Sequence, residues 1–341
     1  MLQGYPAILY YSQESLENLQ RETALSPSYT IREQPKNRLQ RIVDHIWRPY
    51  LYLHASLGRA MFWARYSQIE AKIVRPNINL EGEWLFLRLT LRFGIMDIDA
   101  MIATRAYTKS SGRWLLPALG LSEIYEYQLA PSREYKFSHG RFSQIAEQLN
   151  ANILFFNYPE MGASTGQLTR ETLVKSHEIA LDFLEHQLEP KEIILYGHST
   201  GAVVQGLSLL KRNLFSDLRY VVVADRTFSE MAAVLRHLKG RLVASVFSCL
   251  GWNMSALSWY RAPTVPTIVI SAIKGITQPT KVDSVDKAVY VDDTIPFDGS
   301  LVCALKTPPP NTRFFGVPEQ HKYAIQDTLP VVEAIEDGFK S

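Results

Sequence analysis

One short segment constrains this chain more than any other. Glu192-Ile193-Ile194-Leu195-Tyr196 has the apolar, β-branched character of a buried strand. Gly197-His198-Ser199-Thr200-Gly201 follows it, and Ala202-Val203-Val204-Gln205-Gly206-Leu207-Ser208-Leu209-Leu210 then has helical character. A strand that turns directly into a helix around a serine must bend sharply. The close approach of chain to chain demands small residues two positions before and after it, here Gly197 and Gly201. Such a turn exposes the serine hydroxyl at the carboxyl end of the strand. It also aims the amide-rich start of the helix at that hydroxyl, which favours a developing oxyanion. With 26 serines and 18 glycines in 341 residues, chance supplies about 0.07 such pentapeptides, before a strand and a helix are also required.

The rest of the chain supplies a setting for this turn. At 341 residues, 46% hydrophobic and 21% charged, it has globular composition, with length for two domains or for one large α/β domain with an extension. After Glu83 strands alternate with helices. The expected strands are Trp84 to Leu91, Ile98 to Tyr107, Arg113 to Leu119, Ile153 to Tyr158, Glu192 to Tyr196, Tyr220 to Ala224, Thr267 to Ser271 and Thr312 to Gly316. The fourth to seventh are near-continuous apolar runs, as expected when helices cover both faces of a parallel sheet. In such sheets functional residues gather at the carboxyl ends of the strands.

Residues 1–83 read differently, as a helical extension or cap. Up to residue 80 they carry ten Lys/Arg against six Asp/Glu, with Trp47, Tyr50, Tyr52, Phe62 and Trp63 interleaved. A basic, aromatic helical face is compatible with peripheral contact at an anionic membrane, and equally with a cap whose Arg and Lys stems lie along its rim. The whole chain has 36 Lys+Arg and 34 Asp+Glu, a net charge of +2, which argues against a dedicated nucleic-acid binder. Cys249 and Cys303 are the only cysteines. They are too few for a four-cysteine zinc site and are expected to be reduced and buried. The start of the chain lacks a cationic region and a long apolar run, so the expectation is a cytoplasmic protein, or one exported without a conventional signal peptide. Leu242 to Tyr260 is uncharged and long enough to span a bilayer, but five Ser/Asn side chains argue for a helical cover over a pocket, spanning about residues 227–260.

An activated serine needs a base, and the base needs an orienting acid. Around a turn of this kind the chain order is serine, acid, histidine. Six of the eight histidines precede Ser199, and His237 lies in a helical run, Met231 to Lys239. His321 remains, in a loop just after the eighth strand. For the acid, Asp292 in Val291-Asp292-Asp293-Thr294-Ile295-Pro296 follows the seventh strand. Asp293 is its register alternative. Asp225, at the end of the sixth strand beside Arg226, is the topological alternative, or else half of a structural ion pair.

From about Trp84 onward the chain resembles the α/β-hydrolase family. Besides the GHSTG turn, Asn157 to Gly166 resembles the family's Tyr-x-x-x-Gly-x-Ser-x-Gly segment. Gly251-Trp252-Asn253 followed by Pro266 to Ile270 resembles its linker into the seventh strand, and Asp292 to Pro296 resembles its Asp-x-x-Val-Pro acid loop. The compact layout resembles hydrolase-like proteins of uncharacterised activity in chlamydiae and other intracellular bacteria. The resemblance implies an α/β-hydrolase fold: a three-layer sandwich with a mostly parallel eight-stranded sheet, here with the helical N-terminal extension. It implies a hydrolytic domain over 84–341. It also implies a Ser199–His321–Asp292 triad, with no metal or organic cofactor, acting on a small-molecule acyl ester or thioester. For the oxyanion hole it implies the backbone N–H groups of Leu121, after Gly120, and Thr200. Leu119 stands where the family usually has histidine, and His139-Gly140 further on is a competing site. The alternative reading is a non-catalytic module that uses the same scaffold to bind a protein or a membrane surface.

Overall fold

The computed structural model describes residues 28–31, 84–93, 96–105, 112–118, 142, 144–160, 164–188, 190–321 and 323–340. Apart from 28–31, the helical extension expected over residues 1–83 lies outside the described residues, as do Leu121 and the competing His139-Gly140.

Among the described residues ten strands form one sheet. They are β1 (Ser28–Ile31), β2 (Trp84–Phe93), β3 (Met96–Arg105), β4 (Arg113–Ala118), β5 (Asn152–Phe156), β6 (Glu192–His198), β7 (Arg219–Asp225), β8 (Thr267–Ala272), β9 (Thr280–Val282) and β10 (Thr312–Val317). Their order is β1-β2-β3-β5-β4-β6-β7-β8-β10-β9. The β2–β3 and β3–β5 pairs are antiparallel, while β5-β4-β6-β7-β8-β10 run parallel. The eight strands expected from the sequence are β2 to β8 and β10. The two additional strands are short and extend the edges: β1 pairs parallel with β2, and β9 antiparallel with β10. β1 is a strand within the stretch expected to be helical.

Among the described residues, helical backbone covers 144–148 and the helices α1 (Arg170–Gln187), α2 (Thr200–Leu209), α3 (Met231–Lys239), α4 (Arg241–Cys249), α5 (Leu257–Arg261), α6 (Leu301–Leu305) and α7 (Leu329–Lys340). The α1 helix is closed at its start by a capping box in which Thr169 and Thr172 exchange side-chain and backbone hydrogen bonds. Strand alternation sorts the sheet's side chains into two cores. Ile193, Leu195, Val222 and Val269 face α1 to α5, with Leu173, Val203 and Trp252. Ile194, Tyr196, Val223 and Ile270 face the opposite layer, where α7 contributes Val331, Ile335 and Phe339. This is a helix–sheet–helix sandwich, the arrangement that near-continuous apolar strands require.

The uncharged 242–260 stretch is broken into α4 and α5. Gly251 at φ 82° interrupts it, a conformation glycine adopts without steric cost. Among the described residues no helix is long and apolar enough to cross a membrane. Cys249 is exposed and Cys303 partly buried. This corrects the expectation that both thiols are buried: Cys249 is the last residue of α4, and Cys303 lies in the middle of the five-residue α6.

Candidate active site

The site is built where β6 turns into α2. Ser199 has φ 53° and ψ −122°, a backbone conformation that a side chain makes costly, by roughly 1–3 kcal/mol. The surroundings over-determine it. The Ser199 N–H donates to the Asp225 carbonyl at 3.0 Å, and the Ser199 carbonyl accepts from Thr227 Oγ1 at 2.7 Å. Gly197 is a spatial necessity, because a Cβ there would lie 2.3 Å from the Ala202 Cα. Gly201 sits in the first turn of α2, which packs against β6. Ser199 and Thr200 are both buried, and Thr200 opens α2, so its N–H is among the first-turn amides without an intrahelical acceptor.

Ser199 Oγ lies 2.9 Å from His321 Nε2. His321 Nδ1 lies 3.0 Å from Asp292 Oδ2. The other carboxylate oxygen of Asp292 accepts from the backbone N–H groups of Thr294 at 2.9 Å and Ile295 at 2.8 Å. Burial opposes a charge on Asp292 and is the largest single influence on it. The hydrogen bond and charge of His321, with the two backbone donors, outweigh burial and hold the carboxyl below the usual carboxylate range. An ionised Asp292 can only accept, so it fixes the ring proton on Nδ1 and leaves Nε2 free to accept from the Ser199 hydroxyl. The side chain of Asp292 is fully buried and that of His321 nearly so.

The long connection after β8 explains how Asp292 arrives. Ile273 bridges Tyr290, Lys274 N–H donates to the Val289 carbonyl, and Val291 N–H returns to the Ala272 carbonyl. The chain leaves the sheet, makes an excursion that includes β9, and comes back to the end of β8 just before Asp292. Asp293 is exposed and holds only Thr294 Oγ1 at 3.2 Å.

Asp225 is placed otherwise. It ends β7 and is paired through both oxygens with Arg226, from Nε at 2.7 Å and Nη2 at 2.9 Å, with the Tyr196 hydroxyl donating at 3.1 Å. Arg226 Nη1 donates to the carbonyls of Gln320 and Tyr323, both at 2.7 Å, and of Glu319 at 3.4 Å. Those residues flank His321. A buried ion pair at the end of β7 thus anchors the loop that carries the imidazole. Neither residue type nor spacing assigns Arg226 this part, because its acceptors are backbone carbonyls nearly a hundred residues away. The adjacency of Asp and Arg at a strand end is the one signal that points to it. The His198 ring lies 4.9 Å from the His321 ring, and its Nε2 is 3.8 Å from Asp225.

The other histidines stand elsewhere. His177 is buried between α1 and α2, bonded to Ser208 Oγ at 2.8 Å, and burial followed by the charge of Arg212 lowers its pKa to about 3. His186 and His237 are exposed. His45, His54 and His139 lie outside the described residues. One group of metal-type ligands occurs among the described residues, Asp182, Glu185 and His186. Arg212 pairs with both of its carboxylates and fills the place a cation would take.

A mostly parallel sheet with helices on both faces and a serine at a strained β6–α2 turn defines the α/β-hydrolase fold. Solved structures agree. An α/β hydrolase of Vibrio vulnificus superposes with a TM-score of 0.56 at 12% identity, over 92% of this chain and 96% of that one. The esterase Pf2001 of Pyrococcus furiosus superposes with a TM-score of 0.51 at 15% identity, over 75% of this chain and 90% of that one. Among curated protein sequences nothing matches the chain. The chain belongs to the Chlamydia CHLPS protein family (DUF818), which it matches over residues 86–286.

Proposed function

We propose that this protein is a serine hydrolase acting on carboxylic esters or thioesters through an acyl-enzyme. The observation that carries the reading is the chain of two hydrogen bonds, Ser199 Oγ to His321 Nε2 at 2.9 Å and His321 Nδ1 to Asp292 Oδ2 at 3.0 Å. In the first half-reaction His321 Nε2 takes the hydroxyl proton as Ser199 Oγ bonds to the acyl carbon. The carbonyl π electrons move to oxygen, and the oxyanion is stabilised by the Thr200 N–H at the start of α2 together with a second donor, for which Leu121 remains the candidate. Collapse expels the alcohol or thiol, which takes the proton from His321. In the second half water attacks the acyl carbon, gives a proton to His321, and the Ser199 oxygen leaves and recovers it. Asp292 keeps the ring in one tautomer and offsets the positive charge that appears on it. These steps use no metal and no organic cofactor.

The esterase named among the fold neighbours supports the substrate class, as does the apolar content of the 227–260 segment. The test is a fluorophosphonate probe applied to the wild type, Ser199→Ala and His321→Ala. The expected result is covalent labelling of the wild type alone, with all three proteins equally folded. A folded wild type that is never labelled would sink the reading and favour the non-catalytic module.

A further inference from the structure

Nine large apolar side chains are exposed among the described residues, and four of them crowd into the turn between α3 and α4. They are Leu238 at 48%, Leu242 at 78%, Val243 at 39% and Val246 at 45% exposure. Both helices are amphipathic in the ordinary sense. Met231, Val234 and Leu235 of α3 and Ala244 and Phe247 of α4 are buried, and Phe247 stacks near the buried Trp252 at 5.9 Å. The core is therefore already served by the inner face, and the outer apolar groups are surplus to it. Contiguous exposed apolar groups of this kind mark interaction sites.

Charge identifies the partner. Arg236, His237, Lys239 and Arg241 are exposed around the same turn. Between Glu230 and Asp283 the sequence contains no acidic residue, while Arg236, Lys239, Arg241, Arg261, Lys274 and Lys281 fall in that stretch. Glu230, at the root, accepts from Asn253 Nδ2 at 2.7 Å. Along the chain these apolar groups are flanked by cations and by no acid, a composition that fits a surface apolar beneath and anionic above. We propose that the α3–α4 turn docks this protein on an anionic lipid membrane. Leu238, Leu242, Val243 and Val246 enter the acyl boundary, and Arg236, Lys239 and Arg241 meet the headgroups. A second copy of the chain is disfavoured as occupant, since its identical turn would set like charges together. The chain's own first 80 residues carry a net charge of 10 − 6 = +4 and are disfavoured on the same ground.

The root of this turn joins it to the site. Gly299, just beyond the Asp292 loop, lies against Ala233 of α3, where a Cβ would approach to 3.1 Å. The Ser229 N–H donates to the Gly299 carbonyl at 2.9 Å. After α4 the chain returns through α5, whose Tyr260 hydroxyl donates to the Ala202 carbonyl beside Ser199 at 2.8 Å. Docking through α3 and α4 therefore holds the helix and the loop that position Ser199 and Asp292 next to the lipid. The docking itself requires no turnover.

The test is sedimentation of the full-length protein with phosphatidylcholine vesicles and with vesicles of equal parts phosphatidylcholine and phosphatidylserine. Binding is expected to favour the second kind and to weaken with salt. Leu242→Glu with Val246→Glu is expected to weaken it at least tenfold. Arg236→Gln, Lys239→Gln and Arg241→Gln are each expected to weaken it about fivefold. All five positions are exposed, and circular dichroism checks that the variants fold. Ser199→Ala is expected to bind as the wild type does, which separates docking from hydrolysis. Equal binding to both vesicle types, no binding to either, or full binding by the Leu242→Glu/Val246→Glu protein would overturn the proposal. So would a change confined to oligomeric state.

Discussion

Arg226→Met is the most informative substitution the structure offers. The Arg226 and Asp225 side chains are 0% and 1% exposed, and the guanidinium makes two hydrogen bonds to Asp225 and three to the carbonyls of Glu319, Gln320 and Tyr323. Removing the guanidinium takes the paired positive charge from a buried carboxylate, to which the Tyr196 hydroxyl still donates at 3.1 Å. Breaking a buried pair from one side typically costs about 3–5 kcal/mol, whereas replacing both partners with apolar groups is often neutral. Arg226→Met should therefore lower the unfolding free energy by about that amount, and Arg226→Met with Asp225→Leu should recover at least about 2 kcal/mol of it. Urea unfolding followed by tryptophan fluorescence measures this, since Trp114, Trp252 and Trp259 are all buried reporters. The double variant also separates stability from positioning. It restores the charge balance but not the anchor on the Gln320 and Tyr323 carbonyls, so its fluorophosphonate labelling should stay at least about tenfold slow, as a misplaced base implies. Arg226→Lys, which keeps the charge but not the fork, should fall between. A single variant costing less than about 1 kcal/mol, or a double variant as unstable as the single, would refute the reasoning.

Four further outcomes are expected. Ser199→Gly should abolish labelling yet raise the unfolding free energy by about 1 kcal/mol, because φ 53° strains serine and not glycine; urea unfolding of the two proteins checks it. Gly197→Ala should destabilise by at least about 1–3 kcal/mol and slow labelling, since its Cβ would lie 2.3 Å from the backbone of Ala202. Asp292→Asn should slow labelling by about 10³–10⁴-fold by removing the acceptor that fixes the His321 tautomer. The folded-state pKa of Asp292 is depressed, so its contribution to stability is present above the ordinary carboxylate pKa and is lost as pH falls through the folded value. Unfolding curves between neutral pH and about pH 3 should therefore lose more stability for the wild type than for Asp292→Asn.

The parts of the fold that could be read from the sequence are those where a local pattern and a global demand coincide. Ile193 to Tyr196, Tyr220 to Ala224 and Thr267 to Ser271 are apolar on both faces because both faces are covered, and no other element needs that composition in so few residues. The strand β9 has no such signature. Thr280-Lys281-Val282 pairs on one side only, with two of its three residues exposed, so its composition is that of a loop. The thiols depart from expectation for a related reason: cysteine is usually buried, but Cys249 lies on the exposed face of α4, and which face of a short helix turns outward depends on what packs beneath it. The site divides in the same way. The constraint on Ser199 is local, carried by Gly197 and Gly201 within five residues, and chain order with an elimination among histidines leads from it to His321. Asp292 and Asp293 differ by one residue; the resemblance to the acid loop favours Asp292, and it is Asp292 Oδ2 that lies 3.0 Å from His321 Nδ1, just after Val291 N–H returns to the Ala272 carbonyl. Arg226 is legible only as half of an ion pair with Asp225; its hold on the His321 loop is not, because backbone carbonyls carry no side-chain identity and the sequence holds no trace of which ones a guanidinium will find. The groups that set the position of a reactive side chain are thus less legible than that side chain itself, and the loop around His321 is where the structure adds most.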